Sequence, residues 1–216
     1  AWSEDDAVKT VRSIMDFYIG KIPEKFTYEG KEYTPIDFAK NVLKIIPDDY
    51  VEFMSLKTET YWQKAEYKVP DNWWKSDDYN NVPLDDFMNI IKAAIESGYG
   101  IAIGGDVSEA GLETNKQVAV IPSFDIPSEY INEDARAMRF LNHSTTDDHA
   151  MHIVGFTQKD KKTWYLVKDS GAGSRNCGDE CKSFGYYFFH EDYVKLKIMS
   201  FTIHKDAVKE ILKKIK

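Results

Sequence analysis

The stretch Asp147-Asp148-His149-Ala150-Met151-His152-Ile153-Val154-Gly155 sets a histidine at the mouth of an apolar strand, and twenty residues later Lys168-Asp169-Ser170-Gly171 closes the next one. Paired as a hairpin, two such strands bring their outer ends together. His149 and Asp169 could then make the base-to-orienter hydrogen bond that nucleophilic catalysis uses, although the same two residue types equally describe a surface hydrogen bond. The cysteines, Cys177 and Cys181, lie in Ser174-Arg175-Asn176-Cys177-Gly178-Asp179-Glu180-Cys181. The neighbouring acids disfavour a thiolate, so neither is expected to be a nucleophile. A loop-stapling disulfide and two plain surface thiols both stay open. The histidines at 143, 149, 152, 190 and 204 invite a metal reading. His149 and His152, however, are three apart on a strand and face opposite ways, so no metal site is expected. Gly104-Gly105-Asp106 follows a short strand where the backbone must turn sharply or lie close to something else, and Asp106 reads as a cleft residue or a turn acid.

The elements that must position these residues follow from periodicity and punctuation. Ser3 and Asp6 resemble a capping box ahead of an amphipathic helix over 4–19, which Gly20 and Pro23 end. Glu29-Gly30-Lys31 reads as a hairpin turn, and Thr34-Pro35 starts a second helix to about Lys44. From Asp48 to Pro70 the pattern is extended and aromatic. Asp71–Pro83, with Trp73, Trp74 and Tyr79, reads as a surface loop or cleft wall. Pro83 suits the first turn of a helix over Leu84–Ser97. A short buried strand is expected at Gly100–Ile103, with Val118–Ile121 as a partner, and a helix capped by Asn132 runs to Leu141. Further strands are expected at Ala150–Phe156, Thr163–Lys168, Phe184–His190 and Leu196–His204, then a basic amphipathic helix over Lys205–Lys216. Helices in the first half and spaced strands in the second predict an α+β fold with an antiparallel, barrel-like sheet.

Composition narrows the function classes. The 216 residues are 43% apolar and 30% charged, with 13 Tyr, 12 Phe and 5 Trp, which excludes a disordered or collagen-like chain. With 28 Lys and Arg against 36 Asp and Glu, the charge of −8 has the wrong sign for attraction to phosphate backbones, so no nucleic-acid partner is expected. No apolar run reaches the roughly 18–20 residues of a membrane span. Ala1-Trp2-Ser3-Glu4 lacks both an initiator Met and a signal-peptide layout, which suggests a processed product or fragment.

Ordered blocks across the chain resemble a known family. They are Gly30-Lys31-Glu32-Tyr33-Thr34-Pro35, Val69-Pro70-Asp71-Asn72-Trp73, Tyr79-Asn80-Asn81-Val82-Pro83-Leu84, Gly105-Asp106-Val107-Ser108-Glu109, Thr145-Thr146 with the 147–155 stretch, Tyr165-Leu166-Val167-Lys168-Asp169-Ser170, Gly185-Tyr186 and His204-Lys205-Asp206-Ala207. From Tyr28 to Ala207 the sequence is similar to the C-terminal portion of the bleomycin hydrolase and aminopeptidase C branch of papain-like cysteine peptidases.

The resemblance implies a papain-like fold in which 1–82 is a mainly helical insertion and 83–216 is the barrel half with its C-terminal helix. It implies that His149 is the catalytic histidine and that Asp169 stands where the family has Asn, offering a carboxylate in place of an amide carbonyl to hold the imidazole ring. The cleft would be lined by Gly104, Gly105, Asp106, Asp148, Ala150, Ser170 and Gly171. The family's Trp after the Asn-Ser pair is absent, since this chain reads Asp169-Ser170-Gly171. The nucleophilic Cys and the oxyanion Gln belong to an N-terminal half of the same precursor, so this chain alone is expected to be inactive. No cofactor is implied. The implied partners are that Cys-bearing half, a peptide substrate and, since the family often forms hexameric rings, further copies of the chain. A Cys177–Cys181 disulfide would fit a periplasmic or secreted protein, and free thiols a cytoplasmic one. The alternative function is a catalytically inactive papain-like pseudoenzyme or peptide-binding protein.

Overall fold

The computed structural model describes residues 3–171 and 185–216, so Cys177 and Cys181, with the disulfide considered for them, lie outside the described residues. The chain divides into two compact units, Ala1–Asp48 and Asp49–Lys216. In the first, helix α1 (Glu4–Ile19) begins where the Ser3 hydroxyl accepts the Asp6 N–H and ends at Gly20 with a φ of 83°. Strands β1 (Phe26–Tyr28) and β2 (Lys31–Tyr33) form the expected hairpin. Thr34 caps the short helix α2 (Pro35–Phe38), which continues as a π-helical turn over Ala39–Leu43 until Lys44 takes a left-handed conformation. Phe38 sets its ring edge-on to Phe26, Tyr28 and Tyr33, at centroid distances of 5.1, 5.0 and 5.7 Å.

Among the described residues, the second unit is built on a ten-stranded sheet. Its elements in chain order are β3 (Tyr50–Met54), β4 (Gln63–Ala65), β5 (Tyr79–Asn81), α3 (Leu84–Glu96), β6 (Ile101–Gly105), β7 (Leu112–Glu113), β8 (Val118–Ala119), α4 (Glu133–Leu141), β9 (His149–Lys159), β10 (Lys162–Lys168), β11 (Tyr186–His190), α5 (Glu191–Lys197), β12 (Ile198–His204) and α6 (Lys209–Leu212). The strand order is β4-β5-β3-β12-β6-β9-β10-β11-β8-β7. Pairing is antiparallel except for β3 with β5 and β11 with β8.

The boundary expected at 82/83 does not coincide with this division. β3, β4 and β5 all join the sheet, because the 50–81 segment pairs through β3 with the central strand β12. Asn81 secures the join: fully buried, it accepts the Leu56 N–H at 2.9 Å and donates to the Leu56 and Glu59 carbonyls, each at 3.0 Å.

α3 forms as its pattern predicts. Asp85 and Asp86 occupy its first turn, and Phe87, Ile90, Ile91, Ala94 and Ile95 bury one stripe in the core with Ile101, Ile103 and Ile153. Its first N–H, from Leu84, donates to Glu133 of α4 at 2.9 Å, a side-chain cap supplied from another element. Phe201 of β12 stacks on Phe53 at 5.2 Å and meets Phe87 at 4.8 Å. Rings packed this way lose about 3–5 kcal/mol when truncated to Ala. The strand expected from Leu196 starts instead at Ile198, because His190 caps the short helix α5 by accepting the Asp192 N–H.

Candidate active site

The β9–β10 hairpin sets the geometry. Lys168 pairs with His152, so the residue after β10 comes level with the start of β9. His149 Nε2 there lies 2.8 Å from Asp169 Oδ1, with side chains 29% and 11% exposed. Two further hydrogen bonds hold Asp169, one at its carboxylate and one at its backbone. The Gly171 N–H donates to the same Oδ1 at 2.9 Å, and the Asp169 N–H donates to the Gly185 carbonyl at 2.7 Å. Gly185 needs its glycine, since its φ is 78° and a Cβ there would fall 2.8 Å from the Asp169 carbonyl oxygen. Gly171 lies against the pair: a Cβ at that position would sit 3.3 Å from His149 Cε1. With Nε2 engaged by Asp169, Nδ1 is the ring nitrogen that a proton transfer would use. The arrangement has the geometry that a general acid–base group with an orienter needs.

Beside His149 opens a recess of about 240 Å³ lined in part by Gly104, Ala150, Asp147, Ser200, Asp71, Trp74 and Tyr79. The sheet register builds its floor, because Gly104 pairs with Ala150 on one side and with Ser200 on the other. Asp147 projects over it. Its Oδ2 accepts the Tyr67 hydroxyl at 2.8 Å, and Ser200 hydrogen-bonds to the same carboxyl. Burial, reinforced by the charges of Asp71 and Asp148, pushes the Asp147 carboxyl up to about 6 despite those two hydrogen bonds, which favour its ionised form. Burial also holds the Tyr67 phenol well above its ordinary value, so it stays a donor. A wider, mainly apolar cavity of about 730 Å³ shares Val69 and Asp147 with the recess and adds Leu56, Pro70, Phe140 and Leu141.

The expected cleft residues divide. His149, Asp169 and Gly171 come together, and Gly104 and Ala150 line the recess. Ser170 is exposed. Gly105 is buried, pressed to the backbone of Lys197 and Ile198. Asp106, expected in the cleft, turns inward instead: it is 4% exposed, accepts the Ser108 and Thr146 N–H groups, and lies 3.8 Å from the Lys197 ammonium. Lys197 is fully buried and also donates to Glu109, Thr145 and the Ser144 carbonyl. A buried cation of this kind recruits every nearby acceptor, and Asp106 is one of them. Asp148 accepts the Val107 N–H and the Ser108 hydroxyl, tying the 105–108 turn to the segment before His149. Sequence reasoning did not single out Asp147, Tyr67 or Ser200 as site residues. Asp147 sits two residues before His149, but its partners come from elements 80 and 53 positions away.

A mixed helix-and-sheet fold with a His–Asp pair mounted on a hairpin is compatible with a papain-like, peptidase-related class, and the comparisons with known proteins show that class. The chain belongs to the Peptidase C1-like family, whose sequence pattern matches residues 3–216. In three dimensions it is similar to the crystal structure of PepW from Lactobacillus rhamnosis HN001 (DR20), with a TM-score of 0.67 and 17% sequence identity over 98% of this chain. The match covers 52% of that structure, so this chain spans about half of its length. No curated protein sequence matches.

Proposed function

We propose that this chain supplies the histidine half of a cysteine peptidase site and that the nucleophilic cysteine comes from an N-terminal half of the same precursor. The observation that carries the reading is the 2.8 Å contact between His149 Nε2 and Asp169 Oδ1 in a Peptidase C1-like chain. In the reaction, the cysteine thiolate attacks the peptide carbonyl, and protonated His149 gives its Nδ1 proton to the leaving amine. A water then gives a proton to His149 and its hydroxyl to the acyl carbon, releasing the acid and the thiolate. Asp169 orients the ring throughout. Aminopeptidase behaviour is the form suggested by the resemblance to the bleomycin hydrolase branch.

The test uses protein expressed from the whole coding region and a fluorogenic aminoacyl or peptidyl substrate. Hydrolysis abolished by a thiol-alkylating reagent and by His149→Ala supports the proposal, with the 216-residue chain alone inactive. Thiol-insensitive hydrolysis, or activity retained by His149→Ala, would overturn it. A fully silent but correctly folded protein would favour the pseudoenzyme reading.

A further inference from the structure

Two aspartates of the second unit, Asp106 and Asp147, are both withdrawn from water, and the fold treats them differently. Asp106 has the buried Lys197 ammonium as counter-ion. Among the described residues Asp147 has only neutral hydrogen-bond partners, the hydroxyls of Tyr67 and Ser200, and it faces the open recess beside His149. Among the described residues no Lys or Arg lines that recess, and its one basic side chain, His149, is engaged with Asp169. Three of the other lining residues carry the same sign or a π face, among neutral neighbours such as Asn72, Ala102 and Thr202. Asp71 adds a second carboxylate, Trp74 stands at the rim 59% exposed, and the Tyr79 phenol feels the negative charges of Glu52, Asp147 and Asp71. Gly104 keeps the carboxylate uncovered: a Cβ there would fall 2.9 Å from Asp147 Oδ2 and 2.8 Å from Ser200 Oγ. An under-compensated carboxylate, a second acid and exposed aromatic faces around a small recess match the chemistry that receives an organic cation.

We propose that this recess takes an ammonium or guanidinium group of a peptide, with Asp147 as the residue that determines that specificity. Treating the peptide as a substrate rests on the peptidase reading above, while the binding itself does not. The cation can come from a basic side chain or from a free α-amino group. Either would place its carrier beside His149.

Amide NMR of the full 216-residue chain separates these possibilities without any need for turnover. At pH 7.5 the chain is titrated through the millimolar range with three probes: Nα-acetyl-arginine amide, norleucine amide with its free α-amine, and neutral Nα-acetyl-norleucine amide. Saturable shifts at Gly104 and at the Trp74 indole are expected for a cationic probe, at concentrations about tenfold below any effect of the neutral one. Stronger binding of the arginine probe identifies a side-chain site, and stronger binding of norleucine amide an α-amino site. Asp147→Asn is expected to weaken the cationic probe about tenfold or more, with amide shifts outside the recess unchanged. Should that variant not fold, Asp71→Asn, which leaves the Tyr67 and Ser200 hydrogen bonds in place, is expected to weaken the same probe severalfold. In the wild type, binding is expected to fade below pH 6 as Asp147 takes a proton, in a field set by Tyr67, Asp71, Tyr79, Asp148 and His149. Equal binding of cationic and neutral probes, shifts that miss Gly104 and Trp74, or equal affinity in the variants would overturn the proposal. An inactive precursor would count against the peptidase reading alone.

Discussion

Replacing Asp147 by Asn is expected to stabilise the fold above pH 6 and to have little effect at pH 4. The carboxyl lies at about 6 in the folded chain against 3.8 for an unperturbed one, chiefly because burial disfavours its charge. A group whose acid form is favoured by folding binds more protons in the native than in the unfolded state between those two values. Stability therefore falls as pH rises from about 4 to about 6 and stays lowered above that. At about 1.4 kcal/mol per pKa unit the full cost is about 3 kcal/mol, and partial access of solvent to the recess reduces it to about 1–3 kcal/mol. Asn keeps an oxygen for the Tyr67 hydroxyl and removes the titration. The assay is urea denaturation of wild type and variant at half-unit intervals from pH 4 to 8, read as the difference so that other titrating groups cancel. In thermal scans the same gain is about 2–10 °C. A difference that does not change with pH, or one that grows towards acid, would refute the reasoning.

Three further outcomes follow from contacts elsewhere. Lys197→Met leaves Asp106 buried without its cation, and urea denaturation should show a loss of about 3–5 kcal/mol; a loss below about 1 kcal/mol would mean that water replaces the ammonium. Gly185→Ala strains a left-handed backbone and pushes on the Asp169 carbonyl, so it should lower stability by about 1–2 kcal/mol and alter the His149 ring signals in NMR, while unchanged signals would detach Gly185 from the site. In protein from the whole coding region, Asp169→Asn is expected to keep thiol-dependent hydrolysis within about tenfold of wild type, whereas Asp169→Ala loses more, mostly in kcat. Equal effects of the two would show that the acceptor oxygen does not position the ring.

The elements that declare themselves locally were legible in the sequence. The Ser3, Thr34 and Asn132 caps, the Gly30 turn and the apolar stripe of α3 all appear where their spacing puts them. His149 and Asp169 were legible because one hairpin carries both, so strand ends alone predict their approach. The short strands β4 and β5 were not, since Gln63–Ala65 and Tyr79–Asn81 are strands only through their pairing partners. Asp106 was left between cleft residue and turn acid, and its burial against Lys197 could not be read, because nothing near it announces a lysine 91 positions away. Gly104 and Ala150 were read as cleft and the 71–83 loop as surface loop or cleft wall, but the gathering of Tyr67, Asp147 and Ser200 in the recess was hidden for the same reason. Ser200 faces Gly104 only because β12 shifts register between Ile198 and Ser200, a bulge that its apolar sequence does not signal.

The two parts of the site differ in how far along the chain their members lie. His149 and Asp169 are separated by 20 residues, and Tyr67 and Asp147 by 80. Closing the longer span costs only about 1.2 kcal/mol more in chain entropy, but it also waits for the pairing of β12 with β6 and β3. During folding the β9–β10 hairpin should therefore acquire amide protection before the strands that floor the recess, an order that pulsed hydrogen exchange would reveal or deny. The same separation bears on divergence. On the proposed function, changes at Tyr67, Asp147 or Ser200 would remodel what the recess accepts while the hairpin that aligns His149 with Asp169 stays as it is, so the two properties would be free to drift independently.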